Sequence, residues 1–220
     1  MNIEEIIKKI KESGFLPLFY HHDRKVCIEI VRAMFAAGVR IAEFVNRGPQ
    51  AAEIFNLLVK TRDVEMKDLI LAAGTIKSAA DAETFIQAGA DLLISPVFDK
   101  SVLDVTSKHR VLWIPGCMTP SEIHTAEKSG CTLIKLFPGN ILGPSFVEAV
   151  KPLFTELDFI VTGGVDSSEK NLVAWYRSGV CSVGMGSKLI GHDVLKNKNY
   201  DELKEKIKKL VVLIKRLKSE

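Results

Sequence analysis

Lys135 lies in the stretch TLIKLFPGN, inside a short apolar run that reads as a strand between two helices. A lysine there is costly to bury unless it faces a polar cavity. Held in such a cavity, its amine can give up a proton and attack a ketone to form a Schiff base. Glu43, in RIAEFVNRG, is the second such group. Strand alternation puts Glu43, Val45 and, if extended backbone continues, Arg47 on one face, with Ala42 and Phe44 on the other. It likewise separates Leu133, Lys135 and Phe137 from Ile134 and Leu136. A carboxyl and an amine in one cavity can move protons and form a covalent bond. They can equally form a structural ion pair, near neutral for stability when complete and costly when broken. On residue types alone, both readings stand.

Other segments end in residues suited to a binding site. Thr75 closes LAAGT, where its hydroxyl either meets a substrate carboxylate or caps the next helix. Ser95 and Pro96 close LLISP, with Ser95 read as a cap or turn residue, and Pro115 and Gly116 close LWIPG as wall residues. Arg47 is either a substrate group or a surface-loop cation. The glycine loops VTGGV (161–165) and GMGS (184–187) expose amide N–H groups that can surround an anion, with Gly163, Gly164, Gly186 and Ser187 in place and Lys188 adding charge. Either loop alone is also an ordinary turn. His21 and His22 follow the first strand. The five histidines form no HxxxH pair and the four cysteines no CxxC pair, so no metal is expected, and Schiff-base chemistry on a lysine needs no organic cofactor.

These groups need a frame. Apolar runs at 15–20, 40–45, 69–73, 91–95, 111–115, 133–137, 159–162 and 180–184 alternate with helical patterns such as 25–37, 50–60, 78–88, 119–129 and 169–178. Four helices end in glycine before a strand (AAGVR, QAGAD, KSGCT and RSGVC), where a left-handed residue stops the helix. Eight strand–helix units without a linker favour one α/β domain over 1–220, a (β/α)8 TIM barrel with an additional N-terminal helix, over an open doubly wound sheet. An open sheet should carry a GxGxxG or GxxxxGK fingerprint after an early strand, and none is present. In a barrel, the mouth lies at the strand C-termini, and phosphate often docks after the last two strands.

Composition narrows the partners. With 30 basic and 27 acidic residues, a net charge of +3 argues for neither nucleic acid nor a membrane surface. The basic C-terminal run KEKIKKLVVLIKRLKSE reads as an amphipathic helix. MNIEEIIKKIKESG reads as a helix rather than a secretory signal, and dispersed cysteines fit a reducing compartment.

In order along the chain, Glu43 with Arg47, AGT (73–75), ISP (94–96), IPG (114–116), IKLFP (134–138), TGG (162–164) and GMGS (184–187) resemble the bacterial 2-keto-3-deoxy-6-phosphogluconate aldolase and 4-hydroxy-2-oxoglutarate aldolase family. The resemblance spans about residues 14–190. It implies a class I aldolase with Lys135 as the Schiff-base lysine and Glu43 as general acid/base. It also implies Arg47 and Thr75 on the keto-acid carboxylate, Phe137 and Pro115 beside the reacting carbons, and Gly163, Gly164, Gly186 and Ser187 on a distal phosphate. A cytoplasmic homotrimer follows by the same analogy, acting on a small 2-keto acid. The chain departs from the family in Val45 for a frequent Thr, Gly48–Pro49 after Arg47, Gly139 for a frequent Ala, and the bulky Phe19–Tyr20–His21. These leave open the sugar stereochemistry and the choice between phosphorylated and non-phosphorylated substrate. A non-catalytic phospho-metabolite barrel and a structural barrel are the remaining alternatives.

Overall fold

The computed structural model describes residues 2–219, apart from the side chains of residues 192 and 193. Helix α1 (Ile3–Ser13) precedes β1 (Phe15–Phe19), α2 (Arg24–Ala36), β2 (Ile41–Val45), α3 (Ala51–Glu65), β3 (Ile70–Gly74), α4 (Ala79–Gln87), β4 (Leu92–Ile94) and α5 (Lys100–His109). Then come β5 (Leu112–Ile114), β6 (Gly116–Cys117), α6 (Pro120–Lys128), β7 (Leu133–Leu136), α7 (Gly139–Val150), β8 (Asp158–Thr162), α8 (Glu169–Arg177), β9 (Ser182–Met185), α9 (His192–Asn197) and α10 (Tyr200–Ser219). All strand pairs are parallel, in the order β5-β4-β3-β2-β1-β9-β8-β7-β6. The fifth strand expected over 111–115 contains β5, which pairs with β4, and is followed past Pro115 by the unexpected short β6, which pairs with β7. Proline has no N–H to give the ladder, while its carbonyl still accepts from Lys135 N–H at 2.9 Å. The sheet thus closes as a (β/α)8 barrel. The glycines expected to stop helices, Gly38, Gly89, Gly130 and Gly179, all have positive φ.

Strand alternation divides the apolar residues between two cores. Ala42, Phe44, Ile134 and Leu136 pack outward against the helices. Leu16, Ile41, Ile70, Leu92 and Leu133 face the barrel interior, where Ile6 and Ile10 of α1 join them. Helix α1 therefore stops the N-terminal end of the barrel. Its start is fixed by a reciprocal Asn2–Glu5 capping box and its end by left-handed Gly14. Each fully buried aliphatic side chain contributes about 1.5–3 kcal/mol. The basic C-terminal helix α10 buries Leu203, Ile207, Leu210 and Ile214 and packs on α2 and α8, so its apolar face is occupied. No described helix is long and apolar enough to cross a membrane.

Candidate active site

Strand register sets the heights of the inward side chains. From Glu43, paired residues run through Ala72, Leu92 and Leu112; the extended register then reaches Cys131, ahead of β7. The other way they run through Leu18 and, extended past the strand ends, Gly186, Gly164 and Gly139. Lys135 lies midway between Cys131 and Gly139. That offset is the shear of an eight-stranded barrel, so Glu43 and Lys135 stand at one height on opposite walls. Ile94 and Gly184 complete their level, with Leu18, Gly74, Gly116 and Thr162 directly above. Leu16, Ala72, Ile114 and Ile160 lie below, and then Ile41, Leu92, Leu133 and Ser182.

Three glycines hollow the upper two levels. A Cβ on Gly74 would overlap the Glu43 carboxyl, one on Gly116 the backbone of Pro96, and one on Gly184 the Thr162 hydroxyl. Glu43 is 2% exposed and Lys135 5%. Burial pushes the Glu43 carboxyl above its ordinary value, against the attraction of Lys135, and Glu43 Oε2 has no hydrogen-bond partner among the described residues. Desolvation outweighing a nearby cation favours the protonated carboxyl and so suits it to proton transfer. The Lys135 ammonium nitrogen lies 5.1 Å from the centroid of the Phe137 ring, within cation–π range. Phe137 N–H donates to Cys117 O, next to Gly116.

Above this level lies a pocket of about 430 Å³ spanning the ends of β2, β1, β9 and β8. Arg47 lines it from one flank; Gly163, Gly164, Gly186, Ser187 and Lys188 line it from the other, with Val45 and Tyr20 between. Gly163 and Gly164 both have positive φ and press against Gly139 and Asn140 at the start of α7. A Cβ on Gly139 would collide with the Gly163 carbonyl, which accounts for glycine there. Likewise Gly48 leaves room for the Tyr20 hydroxyl, which a Cβ would meet at 2.8 Å.

Thr75, Pro115 and Phe137 do not line this pocket; they directly follow the ends of β3, β5 and β7, and of the three only the Phe137 side chain has a recorded contact with the reactive pair, its ring 5.1 Å from Lys135 Nζ. Ser78, rather than Thr75, caps α4, and Thr75 has φ 61°, a left-handed conformation strained for a β-branched residue. Ser95 is neither cap nor turn residue: it is fully buried and accepts a 2.7 Å bond from the Trp113 indole. His21 and His22 stack at 4.5 Å, and His21 Nδ1 accepts from Asp23 N–H, outside the pocket lining. His109 pairs with Glu83 and His124 with Glu127, while the His192 side chain is outside the described residues. The cysteines are free thiols; burial pushes Cys27 and Cys117 up to about 12, away from reactivity. Thr162 and Ser182 escaped the sequence reading. Both are buried inward hydroxyls without a partner among the described residues, and the available signal was their shared parity with Ile160 and Gly184.

The family model described as "Aldolase: KDPG and KHG aldolase" matches residues 6–206. A 2-dehydro-3-deoxy-phosphogluconate aldolase of Treponema pallidum is 31% identical over 161 residues, 73% of this chain and 75% of the relative. A 2-dehydro-3-deoxy-6-phosphogalactonate aldolase of Escherichia coli is 26% identical over 160 residues, 72% and 76% of the two chains. The crystal structure of a KDPG aldolase from Legionella pneumophila, with pyruvate captured as a covalent carbinolamine, superposes with a TM-score of 0.84. It is 26% identical, covering 92% of this chain and 96% of its own.

Proposed function

This chain belongs to the KDPG and KHG aldolase family of class I carbon–carbon lyases, and we propose that it cleaves a 2-keto-3-deoxy-6-phospho sugar acid to pyruvate and glyceraldehyde 3-phosphate. The observation that carries this reading is the buried Lys135 level with a buried, unpartnered Glu43 carboxyl, which the missing side chain of Gly74 leaves room for. The covalent pyruvate of the Legionella relative supports the same chemistry.

Neutral Lys135 attacks the C2 ketone. Glu43 protonates the carbinolamine oxygen, which leaves as water and generates an iminium. The iminium draws the electrons of the C3–C4 bond while Glu43, now a carboxylate, takes the C4-hydroxyl proton and the aldehyde departs. The resulting enamine is protonated at C3, and water adds to the iminium to release pyruvate and the free amine. Arg47 and Thr75 hold the carboxylate and orient the ketone toward Lys135; the strain at Thr75 accords with such a role. Pro115 and Phe137 flank the reacting carbons. Gly163, Gly164, Gly186 and Ser187 receive the distal phosphate through backbone amides and a hydroxyl.

A second reading, cleavage of 4-hydroxy-2-oxoglutarate to pyruvate and glyoxylate, draws support from a structurally similar relative, 27% identical, that carries the 4-hydroxy-2-oxoglutarate aldolase name. Borohydride trapping with pyruvate, followed by peptide mapping, tests the lysine. The ratio of kcat/KM for phosphorylated and non-phosphorylated substrates tests the phosphate site, and a ratio near unity rejects it. The gluconate and galactonate isomers, both found among relatives, are compared in the same assay.

The proposal extends to a single domain over 1–220, working as a cytoplasmic homotrimer. Three exposed apolar side chains at the mouth, Val97, Met118 and Ile141, support self-association. Light scattering at micromolar concentration tests it, and a monomer mass rejects it.

A further inference from the structure

Three lysines of α10, Lys204, Lys206 and Lys208, find different partners. Lys204 pairs with Asp201 at 3.9 Å and Lys208 with Glu205 at 2.8 Å, both on their own helix. Lys206 reaches off its helix: its ammonium donates to the carbonyls of Lys188 and Leu189, each at 3.1 Å. Buried Leu203 and Ile207 pin α10 on either side of it. The residues it reaches belong to the turn after β9, where Gly186, Ser187, Lys188 and Ile190 line the mouth pocket. Inside that turn, Leu189 N–H and Ile190 N–H both donate to Gly186 O, at 2.8 and 3.0 Å.

A peptide unit is planar, so its carbonyl and N–H turn together. The Lys188–Leu189 unit gives its N–H to Gly186 O, and its carbonyl accepts from Lys206. The Leu189–Ile190 unit is bonded in the same way. Both units are therefore held at both ends, between one ammonium and one carbonyl. Gly186 O in turn shares its peptide unit with Ser187 N–H, which has no partner among the described residues. Fixing Gly186 O fixes the direction of that N–H, and hydrogen bonds in series polarise one another. We propose that Lys206, outside the pocket, is a positioning residue for the distal phosphate: it sets the aim of the Ser187 N–H and so favours phosphorylated over non-phosphorylated sugar acids. It acts from α10, beyond the last of the sequence motifs at 184–187.

The inference rests on the loop as a phosphate site, and the test separates the two. Both kcat and KM are measured on a 2-keto-3-deoxy-6-phospho sugar acid and on 4-hydroxy-2-oxoglutarate. Lys206→Met keeps the stem and removes the donor. It should raise KM for the phosphorylated substrate about tenfold, the order of one hydrogen bond to a charged group. The kcat for that substrate and the KM for 4-hydroxy-2-oxoglutarate should stay at their wild-type values. Lys206→Arg, which keeps a charged donor, should recover most of the loss. Lys208→Met removes the same charge from the same helix and should leave both KM values unchanged. Equal losses on both substrates, no loss on either, or an equal loss in Lys208→Met would overturn the proposal. Should methionine impair folding, Lys206→Gln is read the same way. A wild-type enzyme with no preference for the phosphorylated substrate rejects the phosphate site itself, and Lys206 with it. A strong preference that Lys206→Met leaves intact rejects the Lys206 role alone.

Discussion

The two halves of the barrel interior obey opposite rules. The lower half is filled: Leu16, Ile41, Leu92 and Leu133 meet Ile6 and Ile10 of α1, and Ser182 is the lone polar group at its level. The upper half is emptied: Gly74, Gly116 and Gly184 withhold side chains so that Glu43, Lys135 and Thr162 share space. Burial acts in both, with different products. Below, it yields stability. Above, it desolvates a carboxyl and raises its proton affinity. A single cylinder thus segregates cohesion from chemistry by height alone.

Substitutions in the two halves should therefore separate activity from stability. The largest effect is expected from Lys135→Ala, which should abolish the borohydride-trapped pyruvate adduct while circular dichroism stays that of the wild type. Labelling at the normal level would break the assignment. Glu43→Gln should lower turnover by roughly 10²–10⁴-fold with the fold intact. Retained turnover across pH would make Glu43 structural. In the lower half, Ile10→Ala should cost about 2–5 kcal/mol in urea unfolding and leave kcat unchanged in the folded population. A large kcat loss there would erase the distinction between the halves.

The smaller effects sharpen it. Gly164→Val is a poor probe of the phosphate loop, because φ is +73° and a Cβ would meet the Asn140 backbone at 2.8 Å. Gly186→Ala is cleaner: its only tight contact would be with the flexible Leu18 side chain, at 3.0 Å, with the Leu18 carbonyl at an ordinary 3.6 Å. It should raise KM several-fold, about 1 kcal/mol, for phosphorylated substrate and little for 4-hydroxy-2-oxoglutarate; equal losses would assign the loop a structural role. Glu43 also predicts a pH trend. Its folded value lies above its ordinary 4.5, so the native state binds more protons between the two values, and wild-type stability falls as pH rises through that window. Glu43→Gln lacks this loss. It should be the more stable protein near neutrality, with the gap closing on acidification toward 4.5, and a gap constant with pH would contradict the buried-carboxyl account.

Much of the frame was legible because period-two alternation is a strong constraint: it put Lys135 and Glu43 on one side and Ala42, Phe44, Ile134 and Leu136 on the other. What escaped depends on distances through space. Pro115 splits its strand because neighbouring ladders require an N–H it lacks. Ser95 bonds Trp113 across adjacent strands, which no local pattern announces. Thr162 and Ser182 passed as ordinary strand residues because a small hydroxyl fits either face. Gly48 and Gly139 looked like isolated departures from the family pattern, and each proves to be the partner of a close contact, with Tyr20 and with the Gly163 loop.

The three hollowing glycines also bear on how such an enzyme can change. Gly74, Gly116 and Gly184 make no side-chain contact of their own, yet any replacement would strike Glu43, Pro96 or Thr162. A saturation library selected for turnover should therefore record its sharpest intolerance at these positions as well as at the reactive pair. New specificities would arise at the mouth, through residues such as Tyr20, Val45 and Ile190 that line the pocket. The fit around the reagents would then change as slowly in the lineage as the reagents themselves.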